Sequence, residues 1–563
     1  MLDLQTKTNR LLKADDPQSE LIGKLDWVYQ EELYGRGNFK GYWFSPDSKT
    51  IAFLKLDESP VATFTITDHI PVRGEDEFLN YPKAGDPNPI VAVGMASATG
   101  EDAITWTDLS EYDSEEILVS QVSWRPDSSQ LLLQVQNREQ TYLDLVAVDS
   151  LSSSCQRLFR DETPAWIESP GEPHWQNDGN FLWLSPRSGH KHIYQYNPDG
   201  SLNKQLTQGN WEVRGITEFD AENNLVYFTA AKEKPFDVDL YCLDIDSEST
   251  RKLTADPGYH GVRFNDAKTM FIDSCSGVVR PTVHKLYKSD GSFLRTLNAS
   301  SDDSWEHLGI VQPEFLQVES GNDQPLDALI IRPPNFDPGK KYPVLIHTYA
   351  GPQSPMVRNR FGRSWALWHQ ALAQQGYIIW KCDNQSASFR SVKNAWPIHR
   401  DLGRNELADI EHGIDWLKKQ PWVDADRIGI WGWSYGGYMT AYALTHSQSF
   451  KIGISGAPVT DWRNYDTIYT ERYMGTPQTN PDGYEASSVV KAAANLHGKL
   501  LLIHGTIDDN VHLSNSMQFA LELQKAGKQF DLMVYPKNRH AIRAKQQAVH
   551  LRKLMYDFVL ENL

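Results

Sequence analysis

One phrase recurs along the first half of the chain and limits what that half can fold into. An aromatic residue is followed by a polar turn and then by an apolar run. The phrase reads "GYWFSPDSKTIAFL" from Gly41, "VSWRPDSSQLLLQV" from Val122, "PHWQNDGNFLWLS" from Pro173, "ITEFDAENNLVYFT" from Ile216 and "GVRFNDAKTMFID" from Gly261. Asp and Asn turns between apolar runs predict β-hairpins. The anchoring aromatics Trp124, Trp175, Phe219 and Phe264 recur at roughly 44–51 residues, close to one blade of a β-propeller. The interval from Trp43 to Trp124 is longer, which predicts an extra arm between Leu56 and Val122. Each phrase is trailed by a second, such as "LYCLDIDSESTRKLT" (240–254), which reads as the outer strands of the blade. "MLDLQTKTNRLL" (1–12) matches that second phrase, so the sequence reads as entering the ring inside a blade. The expectation is an all-β propeller, partial and of about five blades, over residues 1–305.

Near residues 297–313 the pattern changes to apolar strand, loop and amphipathic helix. "YPVLIHTYAG" (342–351) and "GYIIWKCDN" (376–384) read as buried strands, and "ELADIEHGIDWLKKQ" (406–420) as a helix. Alternating strands and helices imply a mostly parallel sheet covered on both faces, here an α/β-hydrolase domain over residues 306–563.

Composition removes several functions. A formal net charge of −18 argues against nucleic acid as a partner. No run approaches the ~18 apolar residues of a membrane helix, and residues 1–13 lack the apolar core of a secretory signal. Both a cytoplasmic and a periplasmic or secreted location fit these features. Cys155, Cys242, Cys275 and Cys382 are scattered, without CxxC spacing, and read as free thiols. No metal and no cofactor are expected.

The sharpest local signal is Gly432-Trp433-Ser434-Tyr435-Gly436, a G-x-S-x-G with a strand before it and a helix after it. That context predicts a nucleophile elbow at Ser434. A neutral serine needs a base, and the base needs an orienting carboxylate. The order Ser, Asp, His selects Asp508 from "HGTIDDN" and His540 from "YPKNRHAI", both just after predicted strands. Asp509 competes with Asp508, and His504 and His512 compete with His540. The Tyr435 backbone N–H is the expected first oxyanion donor, and Tyr349 in "HTYAGPQ" offers either a second donor or packing. These residues define a serine hydrolase and leave lipase, esterase and peptidase open. The appended propeller favours a hydrolase that screens substrate size.

Four stretches together, "GWSYGGYM", "APVTDWRNYDTIYTERYMG", "LLIHGTIDDNVH" and "DWVYQEELYG", closely resemble the dipeptidyl peptidase IV group of the prolyl oligopeptidase family. "NYPKAGDPNP" (80–89) resembles that group's propeller insertion. The resemblance implies a serine peptidase that takes oligopeptides with a free N-terminus and releases Xaa-Pro or Xaa-Ala dipeptides. It implies a triad of Ser434, Asp508 and His540, with Tyr349 in the oxyanion site. It implies a proline pocket that includes Tyr435, Val459, Trp462, Tyr465, Tyr469 and Val511, with Asn510 on the carbonyl of the first substrate residue. Glu31 and Glu32, which on their own read as surface charge, fall on the paired glutamates that clamp the substrate's α-amine. Family analogy also implies a homodimer formed through the hydrolase domain. Against the pattern, "CDNQSAS" (382–388) replaces a glycine- and arginine-rich stretch, Ile452 stands where relatives often carry a disulfide cysteine, and no residue is assigned to the family's substrate-binding arginine. The alternatives are a related hydrolase of the same fold, such as an oligopeptidase or acylaminoacyl peptidase, and an inactive short form.

Overall fold

The computed structural model describes residues 2–3, 8–9, 19–99, 103–150, 152–298, 308–321 and 324–563. The expected boundary at 305/306 lies outside the described residues. Residues 20–106 contribute a five-stranded sheet, and four four-stranded antiparallel sheets follow over 117–162, 174–205, 213–252 and 259–298. Leu2–Asp3 and Thr8–Asn9 add a two-stranded pair.

The recurring turns explain the hairpins. Ser48, Ser128, Asn224 and Lys268 all have φ between 51° and 63°, and Gly179 has a positive φ of 88°. At each turn an Asp or Asn side chain accepts a nearby backbone N–H, as Asp127 does from Ser129 at 3.0 Å and Asn265 from Thr269 at 3.0 Å. The side chain supplies the bond that the bent backbone gives up. The sheets then pack face to face. Leu132 and Leu145 of one blade meet Phe181 and Trp183 of the next, and Leu182 and Ile193 turn the other way to meet Val226 and Phe228. Successive residues of a strand thus serve two different inter-blade cores.

The expected arm is a separate hairpin, Thr63–Asp68 paired with Glu75–Asn80. It leads into a segment that docks on the second domain: Thr467 N–H donates to Pro82 O (3.0 Å) and Ala84 N–H to Tyr465 O (2.9 Å).

The second domain is an eight-stranded sheet in the spatial order 314–318, 326–331, 378–382, 342–347, 423–433, 452–456, 499–505 and 531–535. From 378–382 onward the pairings are parallel. The strand Val423–Trp433 alternates between two cores. Ile428 and Ile430 enter the one that holds Tyr435 and Trp462, whereas Trp431 enters the opposite one with Trp368, Leu551 and Phe558. All four cysteines are free thiols.

Candidate active site

The strand Val423–Trp433 ends in a reversal at Ser434, with φ 60° and ψ −120°, and the helix Tyr435–His446 begins at once. A non-glycine residue in this region costs about 1–3 kcal/mol and survives only where its surroundings hold it. Ser434 N–H donates to Gly456 O at 2.8 Å, which ties the turn to the next strand. The flanking glycines are required for space. A Cβ on Gly432 would lie 2.4 Å from Gly436 O, one on Gly436 2.4 Å from Thr348 O, and one on Gly437 2.3 Å from Gly456 O.

His540 Nδ1 lies 2.8 Å from Asp508 Oδ2. Asp508 Oδ1 accepts the backbone N–H groups of Asn510 (3.0 Å) and Val511 (3.1 Å). Burial opposes the charge on Asp508, but His540 and His504 outweigh it and hold the carboxyl well below the usual range. The rival residues are otherwise engaged. His504 meets Ser516 Oγ and Val511 O, each at 2.7 Å. His512 stacks on Phe64 at 3.6 Å, and burial lowers it to about 3, so it acts as a neutral plate. Asp509 pairs with Arg539 (3.0 Å) and Arg36 (3.5 Å). Trp433 Nε1 donates to His540 O at 2.8 Å, a link between elbow and histidine loop that no sequence signal gave.

Tyr349 follows the strand Tyr342–His347, and its phenol interacts with Ser434. Burial and the charge on Glu32 raise its pKa, which keeps the O–H protonated as a donor. The ring of Tyr435 turns away, and its hydroxyl donates to Glu406 Oε1 at 2.7 Å.

Ser434, Tyr349 and His540 share a cavity of about 640 Å³ with Glu31, Glu32, Tyr465, Tyr469 and Asn510. Tyr465 and Tyr469 meet edge to face at 5.3 Å, and Trp462 stacks behind Tyr469 at 6.1 Å. Of the expected box, Tyr465 and Tyr469 face the cavity, while Trp462, Val459, Val511 and the Tyr435 ring stand behind them in the core. Tyr465 O–H donates to Asn510 Oδ1 (3.0 Å) and Asn510 Nδ2 donates to Glu31 Oε1 (2.8 Å). One asparagine thus bridges the aromatic box and a carboxylate hundreds of positions away in sequence.

Glu31 and Glu32 end the short helix Trp27–Glu32, which Asp26 caps by accepting from Tyr29 N–H at 3.0 Å. Burial pushes both carboxyls up. For Glu32 the charge of Asp466 adds to the rise, and Arg472 opposes it. On Glu31, Arg36 Nε lies 3.3 Å from Oε2. Sequence reasoning missed Arg36, Asp466 and Arg472. The last two lie inside the quoted "TDWRNYDTIYTERYMG" stretch, but nothing in the sequence says that they face Glu32. Elsewhere, His260, Asp273 and Cys275 bring metal-ligand atoms within 4.8 Å of one another in the last blade. His260 Nδ1 is already on Asp273 (2.8 Å) and Arg280 on Cys275 (3.2 Å).

A propeller joined to an α/β sheet that carries Ser434 on a sharp strand-to-helix turn, with His540 on Asp508 in the same region, defines the oligopeptidase architecture. The profile for the dipeptidyl peptidase IV N-terminal region matches residues 3–282, and that for the prolyl oligopeptidase family matches 364–563. Similar curated proteins include dipeptidyl-aminopeptidase B of Aspergillus niger, 32% identical over 92% of this chain and 61% of its own. A probable dipeptidyl peptidase 4 of Aspergillus flavus is 31% identical over 89% of this chain and 68% of its own. The crystal structure of Porphyromonas gingivalis dipeptidyl peptidase 4 superposes with a TM-score of 0.93 at 30% identity, covering 99% of this chain and 79% of that one. The chain belongs to the dipeptidyl peptidase IV group of the prolyl oligopeptidase family. It spans about three fifths of the length of the first curated relatives it matches, 61% and 62%.

Proposed function

We propose that the protein is a serine exopeptidase that releases N-terminal Xaa-Pro or Xaa-Ala dipeptides from oligopeptides, with residues 1–305 and 306–563 as its two domains. The observation that carries this reading is the Asn510 bridge, which sets Glu31 in the same cavity as Ser434. A substrate ammonium replaces the Arg36 contact on Glu31 and meets Glu32. The second side chain enters the box of Tyr465 and Tyr469, backed by Trp462, Val459, Tyr435 and Val511. A proline ring suits such walls because it brings no N–H to be satisfied. Asn510 then faces the first substrate carbonyl. With the amine pinned, the bond that reaches Ser434 is the one after residue two.

His540, oriented by Asp508, takes the Ser434 proton as Oγ attacks the carbonyl. The Tyr349 O–H and the Tyr435 N–H receive the oxyanion. Return of the proton to the leaving amine leaves the dipeptide esterified to Ser434, and water attacks by the same route. The test compares Gly-Pro-p-nitroanilide with its N-acylated form. Rapid release from the first and loss of at least about a hundredfold from the second is expected. Equal cleavage of both would instead assign a related hydrolase without an amine clamp.

A further inference from the structure

The two domains meet along a seam that carries cations without matching anions. The hydrolase segment just after residues 382–388, the stretch that departs from the family pattern, lies against the propeller. Ser391 Oγ and Lys393 N–H donate to Gly189 O, the second at 3.2 Å, and Val392 N–H donates to a carboxylate oxygen of Glu212. Val392 also borders a cavity of about 150 Å³ between the domains. Lys191, Arg214 and Glu168 line that cavity from the propeller, and Gln353 and Trp396 line it from the hydrolase. It shares no lining residue with the cavity of Ser434. One loop serves both, since Met356 lines the cavity of Ser434 and Gln353 lines this one.

Lys191 and Glu168 are partnered. Lys191 Nζ donates to Gln353 Oε1 at 2.9 Å and lies 3.8 Å from Glu168 Oε2. Burial opposes the charge on Glu168, but Lys191, Arg472 and Arg214 outweigh it and hold the carboxyl low. Arg214 differs. Its guanidinium contacts the Phe389 ring, and the guanidinium of Arg358 lies 5.2 Å over the same ring. Arg358 Nε is buried without a hydrogen-bond partner among the described residues. Neither arginine pairs with a carboxylate among the described residues. Burial, with Arg358 adding to it against Glu212, pushes Arg214 down to about 9.

Other half-buried arginines of the propeller are matched, as Arg160 is by Asp144 at 2.7 Å and Arg187 by Asp161 at 2.8 Å. Carboxylates are not scarce in a chain with 73 Asp and Glu against 55 Lys and Arg. At the seam, however, the cations Lys191, Arg214 and Arg358 meet the carboxylates of Glu168 and Glu212 alone, and burial pushes Glu212 up. A guanidinium taken from water without a counter-charge is costly, and its planar fork matches the oxygens of a carboxylate or phosphate.

We propose that this cavity binds one small oxyanion, a phosphate or a carboxylate, held by the Arg214 guanidinium with Lys191 beside it and Arg358 adding charge from across Phe389, and that the bound anion ties the two domains together at this seam. The cavity volume limits the occupant to a group of that size. No bond is made or broken, and the site is independent of the exopeptidase reading.

The test is calorimetric titration of the whole chain with inorganic phosphate, ionic strength being held constant with sodium chloride. One site with a Kd of about 1 mM or tighter is expected. Phosphate at about a hundred times that Kd should raise Tm by about 2 °C or more over chloride. Acetate is the second probe. Affinity within about threefold of phosphate assigns the site to small carboxylates, and a weaker one assigns it to phosphate. Arg214→Gln should weaken the anion at least about tenfold and remove the Tm increment. Its Tm in chloride should equal or exceed that of the unaltered chain, because an unpaired cation has been taken out; a merely structural arginine would lower it. Arg358→Gln, which leaves the cavity wall intact, should weaken the anion by about three- to tenfold. Absence of saturable binding of both anions up to about 50 mM overturns the proposal, as does binding unchanged by Arg214→Gln. Should Arg214→Gln fail to fold, unchanged binding in Arg358→Gln overturns it instead.

Discussion

The serine elbow and the glutamate helix are two ends of one site, and they are built by different physics. The elbow is local. Strand, strained turn and helix follow one another in sequence, and glycines open the space around Ser434. The helix Trp27–Glu32 has six residues, too few to be stable alone. It is held by its Asp26 cap, by Tyr81, whose ring lies 4.3 Å from that of Trp27, and by Asn510 on Glu31. Ser434 thus sits on a self-contained motif, whereas the placement of Glu31 and Glu32 rests on contacts between distant parts of the chain.

Substitutions at the two ends should therefore separate rate from selectivity. Ser434→Ala should lower turnover of Gly-Pro substrates by at least about ten-thousandfold while calorimetry still detects peptide binding. Tyr349→Phe should cost about a hundred- to a thousandfold in kcat, on free-amine and N-blocked substrates alike. Glu31→Gln should cost about 2 kcal/mol or more in kcat/KM on free-amine substrates, and nothing on N-blocked ones. An equal loss on both classes would show that the helix serves the elbow and not the amine.

Smaller effects probe the charge balance of the clamp. Burial, and after it neighbouring acids, raise Glu32, and burial sets Asp466 at about 7. A raised carboxyl pKa means the charged form appears only as pH climbs through it. The KM for a free-amine substrate should therefore fall as pH rises from the ordinary carboxylate range toward neutrality, with no matching fall for the N-blocked form. Asp466→Asn removes a negative neighbour of Glu32 and should move that fall to lower pH in steady-state profiles. Arg36 is half exposed, so its pairing with Glu31 is weak. Arg36→Gln should lower KM for free-amine substrates by only about two- to fivefold, because the ammonium no longer displaces a resident cation.

What was legible in the sequence follows the same division. The turns of the blades, the elbow and the loops of Asp508 and His540 each carry their instructions within a dozen residues. Backbone conformation and strand ends dictate them, so residue order reveals them. Tyr465, Tyr469 and Trp462 were legible only through family resemblance, because an aromatic box and an aromatic core have the same composition. Which of them face the cavity depends on packing against Asn510. Arg36, Asp466 and Arg472 gave no signal at all. Their meaning lies in which opposite charges the fold brings to them, and sequence spacing says nothing of that.

The arm has a consequence for motion. Phe64 stacks on His512, the Tyr81 hydroxyl donates to Asn510 O at 2.9 Å, and Ala84 pairs with Tyr465. All three contacts grip the segments that carry the box and the Asp508 loop. A hinge that swung the propeller away as a rigid body would have to unstack a ring and break these bonds in a single step. Under the proposed exopeptidase reading, clamp and triad travel together, and these contacts hold the distance that would set the length of the released fragment. Under that reading the arm serves as a ruler whose markings are set by packing.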